Sequence, residues 1–347
     1  MLPDHLPNPA GFEPETMSRF HNCHFVGRID LGNPAAPVFY YAGSYLVARF
    51  QGASLQAVFS DAGAWNEFGN QVGCVIDGGD LVVHQLVKGA ANQLVEIAAG
   101  LPAGDHNLVI TKLQGPGNGR GGVTLHNLLL EPEKRFLPPP VLPSYKIEVY
   151  GDSITEGEGA ACPGGTNDCG SLAGNSGWLS YTNTLARHLG CQMHNLGIGG
   201  LAVRNETGWY EDGHTGLENT YDKLNPWGEG KTPWDFSQYT PDLVIMAMGV
   251  NDQGKGGFAD LPLWKKTYKR IIRDIHTRHG GGSLPFLFAV PPVNVHEAYH
   301  IVAQITEELK TEGMNTLYYR YGFEVNGHPN QPQSARMARE LFDFITS

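Results

Sequence analysis

The length, composition and charge of the chain exclude several classes of protein. At 347 residues it is too long for one typical core, so we expect two domains. Its formal net charge of −11 and the lack of any Lys/Arg run argue against nucleic acids and anionic membrane surfaces as partners. No apolar run approaches the length of a membrane span, and the given chain begins without an export signal. We therefore expect a cytoplasmic protein unless a signal peptide was removed, and the sequence leaves the oligomeric state open.

The five cysteines are too few and too scattered for a disulfide scaffold. Cys162 and Cys169 lie in one glycine-rich loop, where pairing and two free thiols are about equally supported. The neighbouring His21, Cys23 and His24 lack a matching second pair of metal ligands. We therefore expect no metal site.

Short strand patterns fill the first part of the chain. Between His24 and Glu131, runs rich in β-branched and aromatic residues recur at roughly the 8–12-residue spacing of an antiparallel sandwich. Turn signals such as Asp77-Gly78-Gly79 separate the runs. This half is predicted to be all-β, with its strand order left open.

A proline-rich segment, Phe136–Pro143, follows the last of these runs. Consecutive prolines favour a stiff, extended linker, and the composition changes on either side of it. The sequence therefore predicts a β-sandwich domain at residues 1–138 and a second domain at residues 139–347.

Strand and helix patterns alternate after the linker. Apolar strand patterns lead into Gly151 and occupy Cys191–Leu196, Asp242–Met248, Pro285–Val290 and Thr316–Tyr321. Helical patterns occupy Trp178–Leu189, Leu261–Arg278, Val302–Lys310 and Ala335–Ile345. A polar stretch with aromatic residues, Arg204–Tyr239, is expected to be a loop region with a functional surface. The alternation predicts an α/β domain with a doubly wound parallel sheet and helices on both faces.

Four positions in this half suggest a reaction. Ser153, Gly200 and Asn251 each follow a separate apolar strand, so they should meet at one edge of the sheet, and His328 lies on a late loop. Acyl transfer needs a nucleophile, a base and donors aimed at a tetrahedral oxyanion. Ser153 would attack, and His328 would accept its proton and later return it. The backbone N–H groups of Ser153 and Gly200, with the Asn251 side-chain amide, would hold the oxyanion.

These residues resemble a known family. Four ordered blocks are similar to those of the SGNH (GDSL) hydrolases: Gly151-Asp152-Ser153, Gly200, Gly249-Val250-Asn251-Asp252 and His328-Pro329. Further features are similar to family 2 carbohydrate esterases of the acetylxylan esterase type: a sandwich before the hydrolase domain, Trp234-Asp235-Phe236 and His328-Pro329-Asn330. The resemblance implies a jelly-roll-like domain packed on an SGNH α/β domain. It also implies a serine esterase that removes acetyl groups from xylan or related saccharides without a cofactor.

One departure from the SGNH pattern concerns the group that orients the histidine. SGNH enzymes usually carry an aspartate two or three residues before it, where this chain has Val325 and Asn326. A third group must accept a hydrogen bond from the far imidazole nitrogen of His328. A backbone carbonyl or the Asn326 amide oxygen could do so, and Glu324 could substitute if the loop turns it inward. A weakened or altered enzyme is the remaining alternative.

The substrate surface and the competing functions depend on weaker signals. Trp209 and Trp227, in the polar stretch, are candidates for an aromatic platform that binds a sugar, although tryptophans are more often core residues. No long apolar lid is evident, so a short acyl group is expected. The alternatives are a carbohydrate-binding protein with an impaired esterase site and a short-chain lipase or lysophospholipase of the same superfamily.

Overall fold

The first half of the chain forms two antiparallel sheets packed face to face. The structure, a computed structural model, describes residues 20–63, 69–117, 121–167, 169, 172–210, 213–227 and 232–347. In chain order the strands are Cys23–Val26 (β1), Ile29–Asp30 (β2), Val38–Phe39 (β3), Tyr45–Gln51 (β4), Leu55–Asp61 (β5), Gln71–Ile76 (β6), Val82–Gln85 (β7), Gln93–Ala98 (β8), Asp105–Lys112 (β9), Val123–Leu130 (β10) and Phe136–Leu137 (β11). One sheet has the order β1-β4-β9-β6-β7 with β11 also on β4, and the other has the order β2-β3-β10-β5-β8. The apolar side chains between the sheets, such as Leu46, Phe59 and Leu108, form a core of their own.

The second half forms a parallel sheet with helices on both faces. Its sheet strands are Lys146–Gly151 (β12), Gln192–Gly197 (β13), Leu243–Ala247 (β16), Phe286–Phe288 (β17) and Thr316–Tyr318 (β18), in the order β13-β12-β16-β17-β18. A separate hairpin, Lys223–Asn225 (β14) and Thr232–Pro233 (β15), lies in the predicted loop region. The helices are Ser153–Glu156 (α1), Tyr181–Leu189 (α2), Leu217–Thr220 (α3), Val250–Gly254 (α4), Leu261–Arg278 (α5), His296–Thr311 (α6) and Gln331–Thr346 (α7). Within the described residues no helix is long and apolar enough to cross a membrane.

Successive side chains of a strand point to opposite faces of the sheet, so the strands of this half contribute to one hydrophobic core on each face. Ile147 and Val149 of β12 face α2 and α7, whereas Tyr150 faces α5 and α6. The strand order is that of a doubly wound sheet whose direction of winding reverses between β12 and β16. Ligands of such sheets bind outside the carboxyl ends of the strands at this point.

The register of the central strands brings the chain segments of interest together. Gly151, at the end of β12, pairs with Gly197 of β13 and with Ala247 of β16. Because these strands are parallel and end at the same level, the loops that follow them share one edge of the sheet. This edge is where the candidate site lies.

A buried arginine joins the two halves. Arg28, between β1 and β2, is fully buried, and its NH2 group lies 3.0 Å from Glu148 Oε1 and 2.8 Å from the Tyr150 hydroxyl. Its NH1 group donates to the backbone carbonyl of Tyr221 at 2.6 Å. Burial alone would raise the pKa of Glu148, but the charge of Arg28 and a hydrogen bond from His279 hold it well below its usual value. The pair is therefore an ionised contact between halves that are distant in the sequence.

Candidate active site

The loop after β12 presents a serine at the sheet edge. Asp152 caps α1 by accepting a hydrogen bond from the Ile154 N–H at 3.0 Å, and Ser153 is the first residue of that helix. Gly151 is required here, because a Cβ atom at this position would lie 2.0 Å from Thr155 Oγ1. Ser153 is 8% exposed, so its hydroxyl reaches a cavity from an otherwise buried turn.

The predicted base lies beside this serine. His328 Nε2 is 2.8 Å from Ser153 Oγ, a hydrogen-bond distance across 175 residues of sequence. The loop that carries His328 leads into α7, whose first turn is closed by a capping box at Asn330. Gly159 lies close to this loop, since a Cβ atom there would be 2.9 Å from the Cβ of His328. The histidine loop is thus held by the α7 cap on one side and the Gly159 loop on the other.

The predicted oxyanion donors line the same cavity as Ser153 and His328. Gly200 has a φ of +77°, and Asn251 lies in the first turn of α4. One hydrogen of the Asn251 amide is donated to the Leu201 carbonyl at 3.0 Å, which fixes the side chain and leaves the second hydrogen for a ligand. The cavity has a volume of about 430 Å3. All four residues of the predicted constellation therefore meet at one site.

The two tryptophans occupy different positions. Trp209 lines the cavity, is 64% exposed, and donates its backbone N–H to the Gly200 carbonyl at 3.1 Å. Trp227 is half-buried and packs edge-on against Tyr210, with ring centroids 5.2 Å apart. The Tyr210 hydroxyl in turn donates to the Gly199 carbonyl. Of the two tryptophans, Trp209 lines the cavity and Trp227 is not among the described residues that line it. Trp227 instead packs on Tyr210, which binds the turn at Gly199 and Gly200.

Comparison with known proteins places the chain in a family. The carbohydrate esterase 2 N-terminal family matches residues 25–140, and the GDSL-like lipase/acylhydrolase family matches residues 149–332. The chain is also 30% identical over 329 residues to an acetylxylan esterase / glucomannan deacetylase of Cellvibrio japonicus. This alignment covers 91% of this chain and 86% of that protein. The chain belongs to the family 2 carbohydrate esterases. It is a carboxylic ester hydrolase.

Solved structures agree with the fold of this esterase. A family two carbohydrate esterase from Cellvibrio japonicus superimposes with a TM-score of 0.81 at 25% identity, over 94% of this chain and 95% of that one. A family two carbohydrate esterase from Clostridium thermocellum, solved in complex with cellohexaose, gives a TM-score of 0.80 at 21% identity, over 93% and 98%. The predicted combination of an antiparallel sandwich and an SGNH-type α/β sheet is confirmed.

Two glutamates lie at the esterase site that the sequence analysis does not single out. The buried Glu156 carboxylate accepts the Gly115 N–H at 2.9 Å and the Gly199 N–H at 2.6 Å, so it connects a sandwich loop to the turn at Gly199 and Gly200. Glu158 lines the cavity with Oε2 3.4 Å from His328 Nε2. Their place directly after the Ser153 turn is the signal that could have marked both residues.

Glu324, one of the side chains predicted to orient the imidazole, forms its ion pairs with other residues of the esterase. Glu324 Oε1 is 3.1 Å from Arg320, four residues earlier in the sequence, and 3.5 Å from His296 Nδ1. The Asn326 backbone carbonyl accepts a hydrogen bond from Asn167 at 2.8 Å. Among the described residues, neither the Glu324 carboxylate nor the Asn326 amide forms a hydrogen bond or ion pair with the His328 ring. Arg320 and His296 hold Glu324 at the surface.

The loop between Gly157 and Gly177 carries a disulfide. Cys162 and Cys169 are joined, which decides between the two alternatives left by the sequence. Gly159 donates its N–H to Asn175 Oδ1 at 3.4 Å within the same loop. Among the described residues, no group of three or more His, Cys, Asp or Glu side chains is arranged to hold a metal ion.

The helix cap of the Ser153 turn is an unusual carboxyl group. Asp152 is fully buried, and its Oδ2 atom has no hydrogen-bond partner among the residues that the structure describes. Burial raises the pKa of Asp152 from 3.8 to about 7, against the opposing effect of the Ile154 N–H. The folded esterase therefore holds this proton more tightly than the unfolded chain. The contribution of Asp152 to the free energy of unfolding is therefore largest below about pH 4, where the carboxyl is protonated in both states. It is lost as the pH rises to about 7, the pKa of the folded state.

Asp152→Asn is expected to stabilise the esterase at pH 8, by about 2 to 4 kcal/mol in free energy of unfolding. The amide keeps a cap acceptor and avoids the buried charge, so the gain should shrink as the pH falls toward 4. Urea titrations at several pH values would measure it. Asp235→Asn is the matched control, because Asp235 is an exposed cap with a lowered pKa. A variant less stable than the native protein at pH 8 would contradict the expectation.

Proposed function

We propose that this esterase removes O-acetyl groups from xylan or related saccharides through an acyl-enzyme on Ser153. The observation that carries the proposal is the 2.8 Å contact between Ser153 Oγ and His328 Nε2 beside the cavity of about 430 Å3. The relative from Cellvibrio japonicus is named for acetylxylan and glucomannan, and the Clostridium thermocellum structure holds cellohexaose. Both names support an acetylated saccharide as the substrate class.

The proposed reaction has two transfers. Ser153 Oγ attacks the acetyl carbonyl while His328 Nε2 takes its proton, and the oxygen of the tetrahedral intermediate carries the negative charge. The intermediate collapses, the bond to the sugar oxygen breaks, and His328 returns the proton to the released hydroxyl. Water then attacks the acetyl-serine with His328 again as base, and the products are acetate and free Ser153. No cofactor takes part in any step.

The proposed oxyanion donors are the N–H groups of Ser153 and Gly200 and the second amide hydrogen of Asn251. Such donors contribute more in the transition state than in the ground state, because the charge on the oxygen develops during attack. The hydrogen bond to Leu201 holds the amide in place before the substrate arrives. This arrangement is preorganised, so little reorganisation is needed during the reaction.

The apolar part of the cavity supports a short acyl group. Ile154, Val250 and Val293 line it beside the serine, and together with Trp209 they provide the surface for a methyl group and a sugar ring. A long acyl chain would extend beyond these side chains. We therefore favour acetyl esters over the lipase alternative.

The proposal is tested by acetate release from acetylated xylan and acetylated glucomannan, beside hydrolysis of p-nitrophenyl acetate and p-nitrophenyl octanoate. We expect acetate from at least one polysaccharide and a strong preference for the acetyl ester. Preference for the octanoyl ester would favour a lipase. Saccharide binding without hydrolysis of any ester would favour a binding protein with an impaired site.

Asn251→Ala is expected to lower kcat about 100-fold or more with a smaller change in KM, because one oxyanion donor is lost. Steady-state kinetics on p-nitrophenyl acetate would measure this split. Asn107→Ala, at an exposed position on the sandwich, is the control and should match the native enzyme. A rise in KM at unchanged kcat would mean that Asn251 binds the substrate and leaves the oxyanion to other groups.

A further inference from the structure

A second cavity adjoins the catalytic one. Its volume is about 320 Å3, and it shares Trp209, Asn251 and Val293 with the cavity that contains Ser153. A volume of this order lies at the small end of the range for ligand pockets, about 300 to 1,000 Å3. Because the two cavities share a wall, a saccharide bound at the serine can extend into the second one.

The walls of the second cavity have a distinct chemistry. They include the Trp209 indole, the amide residues Asn294 and Asn326, and Lys255, which is the one charged side chain among the described residues that line it. An isolated cation is notable in a chain whose formal net charge is −11. A neutral sugar would need the aromatic face and the amides but would leave the ammonium group without a counter-charge.

The position of Lys255 is set by the same helix that carries Asn251. The Lys255 backbone N–H donates to the Asn251 carbonyl at 3.0 Å, so Lys255 is the C-cap residue that follows α4. Gly256 follows with a φ of +73° and ends the turn. The helix that presents the proposed oxyanion donor therefore also presents the cation to the adjoining cavity.

Lys255 keeps its charge available for a ligand. Its Nζ lies 3.7 Å from the centroid of the Trp209 ring, so it covers one face of that indole. No carboxylate of the described residues forms an ion pair with it. An ammonium group has three donors, so those that do not face the ring can bind an anionic oxygen.

We propose that the second cavity is a subsite for a uronic acid residue of the substrate, which packs beside Trp209 and places its carboxylate on Lys255. This inference rests on the proposed function and narrows it. The esterase would favour acetyl groups on saccharides that carry an acidic sugar next to the acetylated one. Lys255 is then a residue that determines specificity, and Ser153 performs the chemistry on any accepted ester.

The test compares acetylated xylo-oligosaccharides with and without a glucuronic acid substituent. We expect the native enzyme to show a ratio of kcat/KM, acidic over neutral, of about three to five, which is the upper part of the range for a partly exposed ion pair. The ratio should fall to about one in Lys255→Met and recover in Lys255→Arg. It should also fall in about 0.5 M sodium chloride, since salt screens exposed charges.

Lys266→Met is the matched control, because it removes the same charge from an exposed lysine on α5 outside both cavities. Its ratio should equal that of the native enzyme. A native ratio of one or less would overturn the subsite. Equal loss on the acidic and the neutral substrate in Lys255→Met would also overturn it, since Lys255 would then be a general sugar contact.

A binding measurement separates failure of the subsite from failure of the proposed function. Calorimetric titration of the Ser153→Ala protein with the acidic oligosaccharide requires no hydrolysis, and we expect tighter binding than for the neutral one, lost with Lys255→Met in the same background. Hydrolysis of p-nitrophenyl acetate without any acidic preference in binding would reject the subsite alone. An acidic preference in binding without any ester hydrolysis would reject the proposed function alone.

Discussion

Replacing Ser153 with alanine is expected to lower kcat for acetyl ester hydrolysis by about 10⁴-fold or more. The variant loses the atom that would form the acyl-enzyme, whereas the cavity and the oxyanion donors remain. Steady-state kinetics on p-nitrophenyl acetate and acetate release from acetylated xylan would measure the loss. Binding of saccharide should be nearly unchanged, because the hydroxyl is a small part of the cavity wall.

His328→Ala should have an effect of similar size, and the double variant should be scarcely worse than either single variant. Residues that act as one unit in a reaction show this non-additivity. Ser283→Ala and His300→Ala are matched controls at exposed positions, and both should keep native rates. Independent, multiplying losses at Ser153 and His328 would argue against the 2.8 Å contact as the functional pair.

Replacing Arg28 with methionine is expected to destabilise the protein by about 3 to 5 kcal/mol. The substitution leaves the ionised Glu148 carboxylate buried without the cation 3.0 Å away, and the backbone carbonyl of Tyr221 loses its donor at 2.6 Å. Both groups belong to the α/β half, whereas Arg28 belongs to the sandwich. Urea unfolding at neutral pH, followed by circular dichroism, would measure the change in free energy of unfolding.

Two further variants show whether the buried pair is the cause. Arg28→Met with Glu148→Gln should be less destabilising than the sum of the single variants, because the second change removes the uncompensated charge. Arg135→Met, an exposed arginine of the sandwich, should stay within about 0.5 kcal/mol of the native protein. A loss below about 1 kcal/mol in Arg28→Met would mean that the α/β half does not depend on this contact.

The proposed catalytic constellation can be predicted from the sequence because its signals are local. Ser153, Gly200 and Asn251 each follow an apolar strand, and parallel strands end at a common edge, so their proximity follows from fold class alone. His328 is harder to place, since no strand leads directly to it. The family blocks supply its role, and the structure supplies the 2.8 Å distance to Ser153.

The supporting contacts could not be predicted in the same way. Glu148 lies in a strand that the sequence predicts, but its ionisation in the interior depends on Arg28, 120 residues away. Trp209 and Trp227 are equal candidates in the sequence, and only the packing of Trp227 on Tyr210 distinguishes them. The Glu324 side chain is likewise directed away from the imidazole by Arg320 and His296, which no spacing rule indicates.

Local patterns were therefore sufficient for the two-part fold class, the α/β strand ends and the family. They depend on hydrophobic periodicity, turn residues and short motifs, which act over a few neighbouring residues. Tertiary structure decided the disulfide, the carboxylates around the site, the orientation of the tryptophans and the buried Arg28–Glu148 contact. The physical reason is that these features arise between side chains far apart in sequence, where burial and partners are set only after the chain has packed.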